Sequence, residues 1–161
     1  MIHNEKIKNI SGHFRNQPSA AGRCARKNAG NNRILEAVKK RKDVEIIVST
    51  LVFTVLYKCN EQKLHFLLDK LAQLDYEEVP ITNSVRELAN FYLENNVLKK
   101  KSTDDLMHIA AATLNGCRYI ISWNFKHFVN PKTINAVNAI NLTLNLPQIG
   151  IFSPTMMLGG F

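Results

Sequence analysis

The chain has 161 residues, 45% of them apolar, so it can bury a core as one domain without disulfide or metal staples. Its three cysteines are an odd number and include no C-x-x-C pair, which argues against a disulfide framework and against a cysteine zinc site. No apolar stretch approaches the roughly 20 residues that span a bilayer, and no leader pattern opens the chain. We therefore expect a cytoplasmic protein with reduced thiols.

The net charge of +8 is concentrated at one end of the chain. Residues 1–45 hold 11 Lys/Arg against 4 Asp/Glu, a net of +7, whereas residues 46–161 hold 10 against 9, a net of +1. A basic segment attracts phosphate backbones whatever their sequence, but it can equally be a solvated arm. Both interpretations stay open at this point.

The amino-terminal part of the chain differs in pattern from the rest. Residues 1–30 show little periodicity and many Asn, Gly, Ser and Arg residues, which predicts an irregular basic segment ahead of a folded domain at 31–161. That domain begins with a helix predicted at about 32–42. The β-branched run VEIIVS at 44–49 then predicts a strand covered on both faces, as in a parallel sheet.

The middle of the chain alternates helix and strand signals. Thr50 can cap a helix in LVFTVLYK, Asn60 a helix in EQKLHFLLDKLAQL, and Thr82 or Asn83 a helix in SVRELANFYLEN. A short strand is predicted at 78–81, between the second and third of these helices.

The last third continues the alternation. Ser102 and Thr103 are good N-caps for DDLMHIAAATLN, and Gly116 stands where a left-handed helix end belongs. RYIIS predicts a buried strand, Pro131 begins a helix through residue 144, and QIGIF predicts a last strand. Strands that alternate with helices predict an α/β domain of three layers, with a mostly parallel central sheet and right-handed crossovers.

Polar residues occur where such a fold gathers functional groups, at the carboxyl ends of strands and the amino ends of helices. Ser122, Trp123 and Asn124 follow a strand, and the pair Asp104 and Asp105 opens a helix. Taken alone, either aspartate is explained by the helix dipole. Trp123 can roof the sheet or stack on a base, and a lone histidine such as His108 is usually a packing residue.

A longer pattern adds to these single residues. Residues 105–127 read D-x-x-H-I-A-x-A-T-x-x-G-C-x-Y-I-I-S-W-N-F-K-H, and V-N-P and N-A-I-N follow. This pattern resembles the carboxyl-terminal half of PIN-domain proteins, especially the VapC-like toxins of type II toxin-antitoxin pairs. With VSTLVFTVLY at 48–57 and VPIT at 79–82, the resemblance covers residues 32–158.

The resemblance implies a PIN-like fold and an endoribonuclease whose three or four acidic residues hold Mg²⁺ or Mn²⁺. It implies Asp105 and Asn124 as catalytic residues, and Asp105, Asp104 and Asn124 as metal ligands. The partners implied are RNA, a cognate antitoxin protein and a second copy of the chain. Several hard oxygen ligands are needed because Mg²⁺ is held poorly by one carboxylate.

Two family acids have no counterpart in this chain. The candidate for the opening strand, IKNIS, offers Asn9 in place of a carboxylate, and the helix after VSTLV has Thr54 and Val55 where members carry Glu. With two negative charges fewer, we expect weak metal binding.

Three hypotheses follow from this incomplete set. The chain is a working nuclease with acids supplied from elsewhere, such as Asp43, Glu45 or Glu61. Alternatively, it is a degenerate, non-catalytic PIN-like domain that binds RNA or an antitoxin. The third hypothesis is an α/β interaction module in which the acid pair only begins a helix.

Overall fold

The computed structural model describes residues 44–158, the backbone of residues 5–10, and the single residues Arg33, Glu36, Ala37 and Lys39. Those four residues are helical, but most of the helix predicted at 32–42 lies outside the described residues. Most of the segment predicted to be irregular lies outside them too. Among the residues described, no helix combines the length and the apolar character needed to cross a bilayer.

The described part of the chain forms a mixed α/β fold around a five-stranded sheet, whose order is β3-β2-β1-β4-β5. All four strand pairings are parallel, as predicted. The strand predicted at 44–49 is confirmed, the one predicted at 78–81 lies two residues earlier, and the last one is shorter than predicted. The strands are β1 (Glu5–Ile10), β2 (Val44–Ser49), β3 (Tyr76–Val79), β4 (Tyr119–Ile121) and β5 (Gly150–Phe152).

The central strand, β1, lies within the segment that the sequence predicts to be irregular. Glu5 pairs with Val44 of β2, and Ile10 pairs with Ile121 of β4. The sequence EKIKNI lacks the apolar run of a buried strand, but it overlaps IKNIS, the candidate for the opening strand that the resemblance suggests. Hydrogen bonding to a strand on each side satisfies its backbone whatever its side chains are. Its carboxyl end therefore lies beside the carboxyl end of β4.

Six helices and a short 3₁₀ turn at Lys100–Ser102 connect and follow the strands in the described chain. The predicted caps Asn60 and Thr82 accept hydrogen bonds from the amides of Lys63 and Val85. Thr50 is inside its helix rather than its cap, because Ser49 holds the N-cap position. The helices are α1 (Thr50–Leu56), α2 (Glu61–Leu71), α3 (Asn83–Glu94), α4 (Thr103–Leu114), α5 (Pro131–Thr143) and α6 (Pro154–Leu158).

Two clusters of apolar side chains pack on opposite faces of the sheet. Ile120 belongs to the cluster formed with α3, α4 and α5, and its neighbour Ile121 belongs to the cluster formed with β2, α1 and α2. Successive side chains of a strand point to opposite faces, so β4 contributes to both clusters. Pro131 begins α5 as predicted, and Gly116 ends the turn after α4 with φ of 65°.

The asparagines of the N-A-I-N stretch hold the chain that leads to β5. Asn138 exchanges two hydrogen bonds with the backbone of Ile149, and the Asn141 amide donates to the carbonyl of Pro147 at 3.0 Å. Asn141 is fully buried. Polar side chains in a protein core nearly always have hydrogen-bond partners, and these contacts supply them. This part of the pattern therefore has a structural explanation.

Tyr92 joins three helices through its hydroxyl. The hydroxyl lies 2.5 Å from Asn141 Oδ1 and 3.4 Å from Thr113 Oγ1, and the whole side chain is buried. Burial raises the pKa of the Tyr92 phenol above its ordinary value of 10.0, while the hydrogen bonds to Thr113 and Asn141 offset part of that rise. The phenol therefore stays neutral in the folded protein at pH values where the unfolded chain ionises it.

Replacement of Tyr92 by Phe should lower the free energy of unfolding by about 1–2 kcal/mol at neutral pH, because Asn141 Oδ1 loses its buried donor. The raised pKa stabilises the fold below pH 10 and this contribution is lost as the pH rises further, so Tyr92→Phe should also flatten the alkaline loss of stability. Urea unfolding at neutral and alkaline pH measures both effects. Tyr57→Phe, at a 68% exposed position, is the control and should change neither.

Candidate functional site

The carboxyl ends of the strands form one edge of the sheet, and small polar residues follow three of them. Ser49, Ser122 and Ser153 come directly after or at the ends of β2, β4 and β5, and each is at most 2% exposed. The amino end of α4 reaches the same edge, because its side chains contact residues of the loop after β4. A helix amino end contributes a positive dipole to this place.

Asp105 lies in the first turn of α4 and is buried, with 4% exposure. The Asn124 amide donates to its Oδ1 at 3.4 Å, and His127 Nδ1 lies 2.6 Å from its Oδ2. The structure thus brings Asp105 and Asn124 together, as the pattern predicts. It adds His127, the last residue of the 105–127 pattern, which was not among the predicted site residues.

Asn124 organises the loop in which it lies. Its backbone amide donates to Ser122 Oγ at 3.1 Å, and its Oδ1 accepts the amide of His127 at 3.1 Å. Its carbonyl accepts the amides of Phe128 and Val129 at 2.9 and 3.0 Å. The side chain of Phe128 is completely buried and fixes the end of the loop. Asn124 is therefore held by both its backbone and its side chain.

Ser102 contacts the histidine rather than the helix that it precedes. It occupies the N-cap position of α4, but its side chain makes no capping hydrogen bond there. Instead, its Oγ lies 3.3 Å from His127 Nδ1, while Thr103 Oγ1 donates to the carbonyl of Lys100. Ser102 therefore holds the predicted N-cap position but makes no capping hydrogen bond, because its hydroxyl contacts His127, and Thr103 lies inside the helix.

The contact between His127 and Asp105 fixes the histidine tautomer. An ionised carboxylate only accepts hydrogen bonds, so we assign the proton of the ring to Nδ1, which faces Asp105 Oδ2. The side chains are 17% and 6% exposed, respectively, so this is a largely buried pair. The sequence contained His127 at the end of N-F-K-H, but nothing local indicated that it would reach a residue 22 positions earlier.

Of the other acids proposed from sequence, the three that the structure describes are not seen to join this group. Asp104 is exposed, and neighbouring residues of a helix do not share a face, so it is not brought to Asn124 as Asp105 is. Glu45 lies near the amino end of β2, where it is opposite Lys6 in the strand register. Glu61 is an exposed residue at the start of α2. Asp43 lies outside the described residues.

His108, one turn after Asp105, is a packing residue. It is 2% exposed, its Nδ1 lies 3.2 Å from Ser49 Oγ, and its ring lies 6.5 Å from that of Phe128. These contacts tie α4 to the end of β2 and to the loop after β4. They agree with the packing interpretation of the sequence.

The donors at this edge do not fit a resident Mg²⁺ or Mn²⁺. The sequence contains no Asp or Glu between Glu5 and Glu36, so the carboxyl end of β1 has no carboxylate to offer, and α1 contains none. Within the described part of the chain, no three or more His, Cys, Asp or Glu residues are grouped so that they could hold a metal. One oxygen of Asp105 is already paired with His127, and Mg²⁺ needs several oxygen ligands.

Comparison of the chain with protein-family models, with curated proteins and with solved structures finds no match. The geometry of this edge is therefore what bears on its function.

The Asp105–His127 pair should couple strongly in unfolding experiments. Asp105→Asn and His127→Gln should each cost about 2 kcal/mol, because each leaves a largely buried partner with a poorer hydrogen bond. The double variant should cost at least about 1 kcal/mol less than the sum of the two. Urea unfolding of the four proteins measures this coupling.

The control cycle uses the exposed pair Glu36 and Lys39, which are 3.1 Å apart. Replacing them by Gln, singly and together, should show a coupling near zero, since surface ion pairs contribute little. If the two cycles give the same coupling, Asp105 and His127 do not form the pair described above.

Proposed function

We propose that the chain is a PIN-like α/β domain, similar to the VapC-like toxins, that binds RNA at the carboxyl edge of its sheet without a resident divalent metal. In this proposal the domain has the three-layer PIN-like architecture and does not hydrolyse RNA through a metal-bound water. The observation that carries the proposal is the contact of Asp105 with Asn124, two polar residues of the PIN-like pattern at 105–127 that lie 19 positions apart.

The strand order supports a ligand site at this place. From β1, the chain adds β2 and β3 on one side of the sheet and then β4 and β5 on the other, so the strand order β3-β2-β1-β4-β5 has a switch point between β1 and β4. In open parallel sheets, ligands bind outside the carboxyl ends of the strands at such a switch point. The loop that contains Asn124 follows β4 directly, so it borders this crevice.

The charges around the site favour an anionic ligand. The carboxylate of Asp105 is buried and hydrogen-bonded. On the segments that flank it, four exposed lysines, Lys99, Lys100, Lys101 and Lys126, outnumber the one exposed carboxylate, that of Asp104. The contact of Ser102 with His127 joins the lysine-bearing turn to the loop after β4. Exposed lysines around a crevice attract a phosphate backbone, and the basic amino-terminal segment adds to this attraction.

The resemblance to VapC-like proteins extends the proposal to protein partners. We propose a cognate antitoxin and a second copy of the chain as partners, in the cytoplasm. The second candidate function is the metal-dependent endoribonuclease itself. It requires carboxylates beyond those at the described edge, and the first experiment below distinguishes it.

Single-stranded RNA should bind in excess EDTA, with no requirement for Mg²⁺, and it should stay intact both there and in millimolar Mg²⁺. Lys100→Gln combined with Lys101→Gln should weaken this binding. A plot of the logarithm of the binding constant against the logarithm of the salt concentration should also become less steep, by about 0.7 for each lysine–phosphate contact that is lost. Fluorescence anisotropy with labelled RNA measures both. The control changes Lys58, just after α1, and Lys70, near the end of α2, to Gln, so that the two double variants have the same net charge. Cleavage that depends on Mg²⁺ and is abolished by Asp105→Ala would establish the nuclease instead.

Asn124→Asp should give the site the second carboxylate that it lacks. Two carboxylates at this distance repel each other in the free protein, and a divalent ion relieves the repulsion. The melting temperature of this variant should therefore rise with added Mn²⁺ and fall with EDTA, while that of the wild type should not respond. Asn60→Asp, which replaces a helix cap far from the site by another good cap, is the matched control. A wild-type response to Mn²⁺ that equals that of Asn124→Asp would contradict the missing-ligand argument.

A further inference from the structure

Two aromatic residues lie on the loop beside the candidate site. Phe125 is 52% exposed, and its ring centroid lies 6.2 Å from that of the half-buried Trp123, at an interplanar angle of 51°. Asn124, between them in sequence, is the residue that contacts Asp105. The exposed ring is therefore displayed at the border of the crevice, with a second aromatic ring next to it.

The loop that displays Phe125 is fixed in place. The Phe125 amide donates to the Trp123 carbonyl at 3.0 Å, and the residues before and after it are held by the hydrogen bonds of Asn124. At the end of the loop, Phe128 is buried in the core. A large apolar ring held in water by a well-anchored loop contributes little to folding, whereas it loses little conformational entropy when a ligand covers it.

Exposed lysines lie on the segments next to this ring. Lys126 follows it directly and is exposed, and the turn with Lys99, Lys100 and Lys101 lies next to the loop because Ser102 contacts His127. Aromatic rings next to exposed lysines are the combination by which proteins bind single-stranded nucleic acid, since bases stack on the rings while phosphates meet the charges. A base-paired duplex offers its phosphates but keeps its bases stacked inside.

We infer that Phe125, next to Trp123, is a stacking surface for an unpaired nucleobase whose flanking phosphates lie along the lysines of the same edge. This inference rests on the proposed function and narrows its ligand to unpaired RNA. The surface selects single strands because only they can place a base on the ring.

The chain offers a matched comparison for Phe125. Phe66, on α2, is 51% exposed, so it presents nearly the same ring area to solvent. Lys70 lies 5.7 Å from its ring centroid, so Phe66 also has a cation nearby. Its helix packs with the cluster on the side of α1 and α2, away from the loop after β4. Replacing each ring by alanine therefore separates the position of Phe125 from its exposure.

The experiment uses three labelled ligands with the intact chain: a short oligouridine, the same backbone with an abasic site at each nucleotide, and an RNA duplex. Trp123 is the single tryptophan of the sequence, so quenching of intrinsic fluorescence reports on this loop. The oligouridine should bind tightest and quench the fluorescence. Phe125→Ala should weaken its binding about tenfold or more without weakening the abasic ligand, and Phe125→Tyr should restore it. Phe66→Ala should change nothing.

The possible outcomes separate the two proposals. If oligouridine binds but Phe125→Ala and the abasic backbone make no difference, the stacking surface is refuted while RNA binding stands. If no RNA binds at all, both the stacking surface and the proposed function are refuted. If Phe125→Ala instead dissolves a dimer and leaves RNA binding intact, the ring serves a protein contact and the inference is wrong.

Discussion

The hydrogen-bonded carboxylate of Asp105 is the contact on which the carboxyl edge of the sheet depends. A buried carboxylate is tolerated only when its oxygens are satisfied, and here Asn124 and His127 satisfy one oxygen each. Both partners belong to the loop after β4, so the contact fixes the start of α4 against that loop. Ser102 extends the same connection to the turn before α4. Whatever this edge binds, it binds on a frame held by these contacts.

The same contact explains why the edge suits an anion better than a cation. Divalent metal sites of the Mg²⁺ type need several oxygens that are free to converge on the ion. Here, one oxygen of the single carboxylate is paired with an imidazole, and the side-chain oxygen of Asn124 already accepts an amide. The exposed charges around it are four lysines and one carboxylate, that of Asp104. Our proposal that this edge recognises phosphates and bases rests on these residues.

The architecture places the candidate site at the middle of the carboxyl edge, beside the central strand. β1 connects the half that contains β2 and β3 with the half that contains β4 and β5, and its carboxyl end adjoins the loop of Asn124. The two apolar clusters hold the helices on the two faces, and the Tyr92 network locks α3, α4 and α5 together. The polar edge is thus supported by a well-packed core on the side of α4, which limits how far its residues can move.

The sequence by itself determined the features that depend on neighbouring residues. The strand at 44–49, the caps Asn60 and Thr82, the first helical residue Pro131 and the left-handed Gly116 all follow from local preference, and the structure has each of them. The expectation that Asp105 and Asn124 belong to one site came from the resemblance to PIN-domain proteins. Tertiary structure alone decided the rest. β1 becomes a central strand because two distant strands pair with it. The hydroxyl of Ser102 contacts His127 instead of capping α4. His127 itself is positioned by a carboxylate 22 residues away, and no local periodicity encodes a contact of that kind.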